Sequence, residues 1–296
     1  MNLPAPLRLL RPKQWTKNLL VLAAPVFTQQ ITSLPVMALT GSAFVSLCLV
    51  SSAVYCVNDV LDADKDRHHP KKKLRPVASG EVSASGGISL ALICAVIGLG
   101  ISFFIGVEFG IGVCAYLALQ MLYNAGLKKV PVLDVFVLGS GFVMRAALGA
   151  VAIQVTISGW LLFCTGALAL CLGFAKRRSE LLSAEHDPML SRPSLRGYTT
   201  PSLDAMVVFS AAMAGLAYGV YAISSQNAQQ HPGLIMTAPF VLYGIARYLF
   251  LTFSENEGGE PETLLLSDPH ILATLLLFGI AAVLAVSGFQ LSFLSS

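Results

Sequence analysis

Lysine and arginine in this chain fall almost entirely between its apolar stretches, and only in alternate gaps. Nine stretches, at 18–34, 36–57, 88–107, 108–124, 132–153, 157–175, 205–224, 233–253 and 270–293, are long enough, or nearly so, to cross about 30 Å of hydrocarbon as helices. The gaps alternate between segments 1–17, 58–87, 125–131, 176–204 and 254–269 and segments that carry no Lys or Arg at all. The first set holds 17 of the 19 basic residues, and the other two, Arg145 and Arg247, lie inside apolar stretches. Cytoplasmic loops of membrane proteins carry the excess of Lys and Arg. The pattern therefore predicts nine transmembrane helices in the cytoplasmic membrane, with the N-terminus and the long charged loops on the cytoplasmic side.

Composition agrees. Only 12% of the residues are charged, against about 25% in soluble domains, and the mean hydropathy is +0.72. A soluble enzyme, a disordered chain and a nucleic-acid binder are excluded. The apolar residues run continuously and do not alternate, which argues against a membrane β-barrel. The expected fold class is an all-α polytopic membrane protein, with 1–296 as a single domain. Residues 1–17 are charged and lack a short apolar stretch with a small-residue cleavage site, so no cleaved signal is expected. The six cysteines (Cys48, Cys56, Cys94, Cys114, Cys164, Cys171) all fall within apolar stretches and form no CxxC pair. They read as buried thiols rather than metal ligands or disulfides.

Two inside loops, 58–87 and 176–204, are longer than a helical bundle requires, and both are rich in charge. The first begins Asn58-Asp59-Val60-Leu61-Asp62-Ala63-Asp64-Lys65-Asp66. If the preceding helix continues, Asn58, Asp62 and Asp66 recur at i, i+4 and i+8, Asp59 flanks them, and Asp64 points elsewhere. Carboxylates near a helix C-terminus oppose the macrodipole, and three on one face repel one another. A divalent cation between Asp59, Asp62 and Asp66 would relieve both. Mg²⁺ suits such a site, because it binds through few carboxylates and completes its shell with water and phosphate. A solvated acidic helix end is the plainer alternative. Downstream, Arg67, Lys71 and Arg75 recur at spacing four and are candidates for phosphate oxygens. Lys72 and Lys73 read as topological charge.

The motif NDxxDxxxD after the second span resembles the first aspartate-rich motif of the UbiA superfamily of intramembrane prenyltransferases. That resemblance implies nine helices around a central cavity, with two Asp-rich loops over its cytoplasmic mouth. The usual second aspartate-rich motif is absent. In its place stand Lys176-Arg177-Arg178-Ser179-Glu180 and, later, Arg192 to Tyr198. This basic loop resembles the branch that transfers phosphoribose to polyprenyl phosphate. Arg11 to Asn18, Asp66 to Pro70, Tyr123-Asn124 with Leu127-Lys128, and Gly141 to Arg145 resemble the same branch, and Glu255 to Asp268 does so more loosely.

The resemblance implies Mg²⁺-dependent transfer of 5-phosphoribose from 5-phosphoribosyl diphosphate to a polyprenyl phosphate. Asp59, Asp62 and Asp66 would hold the metal and diphosphate, with Asn58 beside them and Arg67, Lys71 and Arg75 on phosphate oxygens. Lys128, Lys176, Arg177 and Glu180 would bind the phosphoribosyl group. Lys17 and Arg145 are candidates for the lipid phosphate. Arg145 reads equally as a buried structural pairing, Asp134 as a residue at the cavity mouth or a partner of Lys128, and Glu180 as a partner of Lys176. Two other functions fit parts of the pattern: prenyl transfer from a prenyl diphosphate to an aromatic or quinone-precursor acceptor, and ion-coupled transport. The missing second acidic motif counts against the first. The crowding of acids at one membrane face, away from the midplane, counts against the second. No nucleic-acid partner is expected.

Overall fold

The computed structural model describes residues 3–70, 72–186, 193–255, 259, 263–264 and 267–286. Among these the regular structure is helical throughout. The helices are α1 (Ala5–Leu9), α2 (Ala23–Phe27), α3 (Leu34–Leu61), α4 (Ala63–Arg67), α5 (Ala84–Ile105), α6 (Val107–Ala125), α7 (Leu133–Ala152), α8 (Gly159–His186), α9 (Thr200–Ser224), α10 (Gln226–Gln230), α11 (Ala238–Ser254) and α12 (Pro269–Val286). The expected all-α membrane class is the observed one.

Among the described residues, seven helices are long and apolar enough to cross a membrane: α3, α5, α7, α8, α9, α11 together with the turn before it, and α12. Two expected spans differ. Residues 18–34 do not form one helix. An 11-residue 3₁₀ segment, Pro12–Leu22, runs into the short α2. The chain then leaves helical geometry at Gln29, which sits at φ 59°. The span at 108–124 is helical as α6, but Glu108, Gln120 and Asn124 lower its hydropathy and keep it out of the seven.

The residues gather into two compact units, Met1–Lys128 with Met144–Ile157, and Lys129–Val143 with Ser158–Ser296. In the first, α3 and α5 approach closely because Gly98 has no side chain. A Cβ there would lie 2.8 Å from Val50 Cγ2 and 3.1 Å from Ser46 O. Ser46 Oγ donates to the Gly98 carbonyl at 2.9 Å. Small residues and interhelical hydroxyl bonds are the usual means of helix packing in lipid. Val21, Leu47, Val50, Phe109, Val113 and Leu148 form the apolar core beside this contact.

The long 3₁₀ segment needs outside support, since such runs seldom exceed three or four residues. Polar side chains of α3 supply it. Trp15 Nε1 donates to Ser52 Oγ at 3.0 Å, and Asn18 Nδ2 to Ser51 Oγ at 3.2 Å. Gly149 of α7 lets this backbone come close, because a Cβ there would lie 2.4 Å from Val21 O. Gly149→Ala should therefore lower stability by about 1–3 kcal/mol, the usual cost of overpacking. Thermal unfolding in detergent reads this directly. Gly219→Ala, where added volume meets open space within α9, is the control, and it should hold or slightly raise the midpoint.

In the second unit α8 packs on α9, and Val135, Cys171, Phe174, Leu203, Val207 and Leu251 form the core. A capping box between Thr199 and Ser202 starts α9. Asp268 starts α12, accepting the Ile271 N–H at 2.9 Å, and also receives Arg247 Nη2 at 2.8 Å. The hydrogen bond from Arg247 holds the Asp268 carboxyl below the usual carboxylate range, so it stays ionised at neutral pH. Five of the six cysteines are buried, and Cys114 is half-buried.

Candidate active site

The acidic motif lies where α3 ends. Asp62, at φ −95° and ψ 1°, separates α3 from α4. The helical path survives this break, because Asp62 N–H reaches Asn58 O and Asp66 N–H reaches Asp62 O, each at 2.9 Å. The side chains then sort into two pairs rather than one converging set. Seven residues make nearly two whole turns, so Asp59 and Asp66 face the same way. Arg75 Nη1 lies 3.3 Å from Asp59 Oδ1 and 2.6 Å from Asp66 Oδ2. Arg11 also donates to Asp59 Oδ1, with its guanidinium 5.0 Å from the centre of the Tyr55 ring. Both carboxylates are buried.

The other pair is Asn58 and Asp62. Lys128 Nζ lies 3.2 Å from Asn58 Oδ1 and 2.9 Å from Asp62 Oδ2. The expected grouping of Asn58, Asp62 and Asp66 on one face is thus replaced by two pairs, because a spacing of eight leaves Asp66 about 80° from Asn58 around the helix. No group of three or more acidic, His or Cys side chains is poised for a metal among the described residues. Asp64 points to solvent as expected and pairs with Arg67 at 2.6 Å. That contact turns Arg67 away from the buried carboxylates. Lys71 lies outside the described residues.

A divalent cation of the Mg²⁺ type would meet two carboxylates here, Asp59 and Asp66. Two convergent carboxylates supply what that ion takes from protein when phosphate supplies more of its shell. The point they converge on already receives positive charge, from the Arg75 guanidinium.

Elsewhere in the first unit, Arg145 is buried. Its Nε donates to Asn18 Oδ1 at 2.7 Å and its Nη2 to Tyr116 Oη at 2.5 Å. The guanidinium also lies 4.9 Å from the centre of the Tyr116 ring. These contacts tie α7 to α6 and to the 3₁₀ segment, the structural side of the two roles open for Arg145. Lys17, half-buried in that segment, neighbours Asn18. Asn124, near the end of α6, buries an amide Nδ2 that has no hydrogen-bond partner among the described residues.

In the second unit the region expected as a loop is helical to His186, so Lys176, Arg177 and Glu180 stand on α8. Arg177 turns inward. Its side chain is 1% exposed, with Nε 2.6 Å from Asp134 Oδ2 and Nη1 2.7 Å from Glu180 Oε2. The Tyr198 hydroxyl accepts the Val132 N–H and donates to Asp134 Oδ1 at 3.4 Å. Burial raises the Tyr198 phenol above its usual value, so it stays a neutral donor. Arg178 Nε meets Asp204 at 2.6 Å, and its Nη1 meets the Thr252 carbonyl at 3.1 Å. Asp134 therefore pairs with Arg177 and not with Lys128, and Glu180 pairs with Arg177 three residues away. Lys176 is half-buried on the same helix. What sets Arg177 apart from a phosphate ligand is its burial: at 1% exposure it presents no open face to a sugar phosphate.

Sequence reasoning missed Arg11, Asn124 and the Asp134–Arg177 pair. Arg11 and Asn124 both sit in stretches that carried the resemblance, which was the available signal. The buried ion pair joins residues 43 positions apart and left none.

This all-helical architecture, with a buried acid–arginine cluster where a long apolar helix ends, defines a multi-pass membrane protein of a known class. Residues 19–266 match the UbiA prenyltransferase family, and the chain belongs to that family. The decaprenyl-phosphate phosphoribosyltransferase of Mycolicibacterium smegmatis is 35% identical over 290 residues, covering 94% of this chain and 90% of its own. That of Corynebacterium glutamicum is 35% identical over 292 residues, covering 95% and 86%. A solved UbiA homolog from Archaeoglobus fulgidus, bound to GPP and Mg²⁺, superposes with a TM-score of 0.71 at 19% identity, over 96% of this chain and 97% of that one.

Proposed function

We propose that this protein transfers 5-phosphoribose from 5-phosphoribosyl diphosphate to a polyprenyl phosphate, releasing diphosphate. The observation that carries the reading is the 35% identity, over nearly the whole chain, to decaprenyl-phosphate phosphoribosyltransferases. The basic character of the Lys176–Glu180 segment supports it, since a donor with a 5-phosphate and an acceptor with its own phosphate need more cations than acids. Residues 1–296 are read as one functional domain, with the active site and N-terminus at the cytoplasmic face, as the distribution of Lys and Arg supports.

In chemical terms, an oxygen of the lipid phosphate attacks C1 of the ribose, the C1–O bond to diphosphate breaks, and diphosphate leaves with the electron pair. The lipid phosphate is already anionic at neutral pH, so no general base is required. Asp59 and Asp66 would hold Mg²⁺, which neutralises the diphosphate as it departs. Arg75 and Arg11 stand beside those carboxylates to receive diphosphate oxygens. Lys128 orients Asp62 and Asn58, and the buried Asn124 amide offers a donor to a phosphate oxygen. Lys176 is a further phosphate ligand.

Purified protein in detergent should release diphosphate in step with lipid product when given Mg²⁺, 5-phosphoribosyl diphosphate and polyprenyl phosphate. Turnover of a prenyl diphosphate with an aromatic acceptor in its place would replace this reading with ordinary prenyl transfer. Ion flux in vesicles without any diphosphate release would point to a transporter.

A further inference from the structure

We infer that Arg75 and Arg11 act as resident counter-cations that keep a bare metal ion out of the acidic pair, so that metal and diphosphate donor load together. The inference rests on the reading of Asp59 and Asp66 as the metal–diphosphate site.

Arg75 Nη1 is within hydrogen-bond distance of Asp66 Oδ2, at 2.6 Å, and within ion-pair distance of Asp59 Oδ1, at 3.3 Å. Arg11 closes on the same Asp59 oxygen from 48 residues upstream. Two nearby carboxylates would otherwise repel one another and attract any divalent ion. Here their charge is answered by two guanidinium groups, and burial strengthens that attraction by excluding water. A metal ion arriving alone must displace both arginines and leave their charges facing its own. A metal ion arriving with diphosphate brings the anion that those arginines then bind. Arginine suits this exchange, because its planar fork pairs as well with phosphate as with carboxylate. Arg11 is held for it by unusual backbone: it sits at φ 52°, ψ 59°, next to Pro12, at the start of the 3₁₀ segment. Its guanidinium also rests on the Tyr55 ring, a platform that does not depend on Asp59.

The test compares Mn²⁺ binding without donor in the wild-type protein and in Arg75→Gln, Arg11→Gln and Arg75→Lys, using the full chain in detergent and electron paramagnetic resonance of free Mn²⁺. Each Gln variant should bind Mn²⁺ alone at least about tenfold more tightly than wild type, the scale of one charge-assisted contact. The same variants should bind 5-phosphoribosyl diphosphate, with Mn²⁺ present, at least about tenfold more weakly. Arg75→Lys keeps the charge and should stay near wild type for Mn²⁺ alone. The opposite signs matter, because a variant that is merely misfolded loses both affinities. If Arg75→Gln does not fold, Arg11→Gln, which disturbs only the Asp59 side, decides. Mn²⁺ affinity equal to or below wild type in the folded Gln variants overturns the inference. Failure of the wild-type protein to bind the donor at all would overturn the proposed function, and the Mn²⁺ comparison would still stand on its own.

Discussion

Asp66→Asn should lower turnover at least about 100-fold, the scale of losing one preorganised electrostatic contact at a reacting centre, while Asp64→Asn should leave it nearly unchanged. The two residues are neighbours in sequence and carry the same charge, so any general effect of acidity on this segment would fall on both. The structure separates them. Asp66 is buried and meets Arg75 at 2.6 Å, whereas the Asp64 side chain is 92% exposed and reaches only Arg67. If Asp66 serves as a metal ligand, its amide substitute keeps one oxygen but loses the charge that holds both the metal and Arg75. Removing metal with EDTA should abolish turnover in the wild-type protein, and added Mg²⁺ should restore it. Equal losses at Asp64 and Asp66, or full activity in EDTA, would sink the assignment of this cluster.

The second large effect concerns stability. Arg177→Met should destabilise the protein by about 3–5 kcal/mol, because it leaves the Asp134 carboxylate buried without its cation, and Asp134→Leu should cost less, because Arg177 keeps Glu180 at 2.7 Å. The double variant should recover most of that loss, since an apolar pair of similar volume commonly replaces a buried ion pair at little cost. Glu180, which loses Arg177 in the double variant, is 27% exposed and can be hydrated. Thermal midpoints in detergent give the full cycle. Lys176→Ala should weaken donor binding about tenfold or more, a typical charge-assisted contact. Suppose instead that Arg177→Met folds normally and loses only donor affinity. Then Arg177 is a ligand after all, and the buried pairing contributes little.

The long apolar helices and the acidic motif were legible because each is written in consecutive residues. A run such as 88–107 needs no partner to declare itself, and neither does the spacing of Asp59, Asp62 and Asp66. What the spacing could not give was direction. Reading the motif as i, i+4, i+8 grouped Asn58, Asp62 and Asp66, whereas the near-integral turn count of seven residues pairs Asp59 with Asp66. Partners far along the chain were illegible for a different reason. Arg11 meets Asp59 and Arg145 meets Asn18 across separations of 48 and 127 residues, so only the packed structure brings them together. The first span was misread because hydropathy registers how apolar a segment is, not whether its backbone runs as an α-helix. Pro12, Pro25 and the left-handed Gln29 decide that.

The 3₁₀ segment at Pro12–Leu22 also constrains how the protein is made. A ribosome delivers this segment to the insertion machinery before any of its α3 partners exist. Cys48, Ser51 and Ser52, which receive its Asn18 and Trp15 side chains, follow 30 to 37 residues later. Until they emerge, its polar groups have no protein to meet, and it is a poor candidate for autonomous entry into lipid. The packed form of this segment therefore requires α3, whose Cys48, Ser51 and Ser52 supply its polar partners. At this end of the chain, residues made first can reach their packed form only after residues made later have emerged.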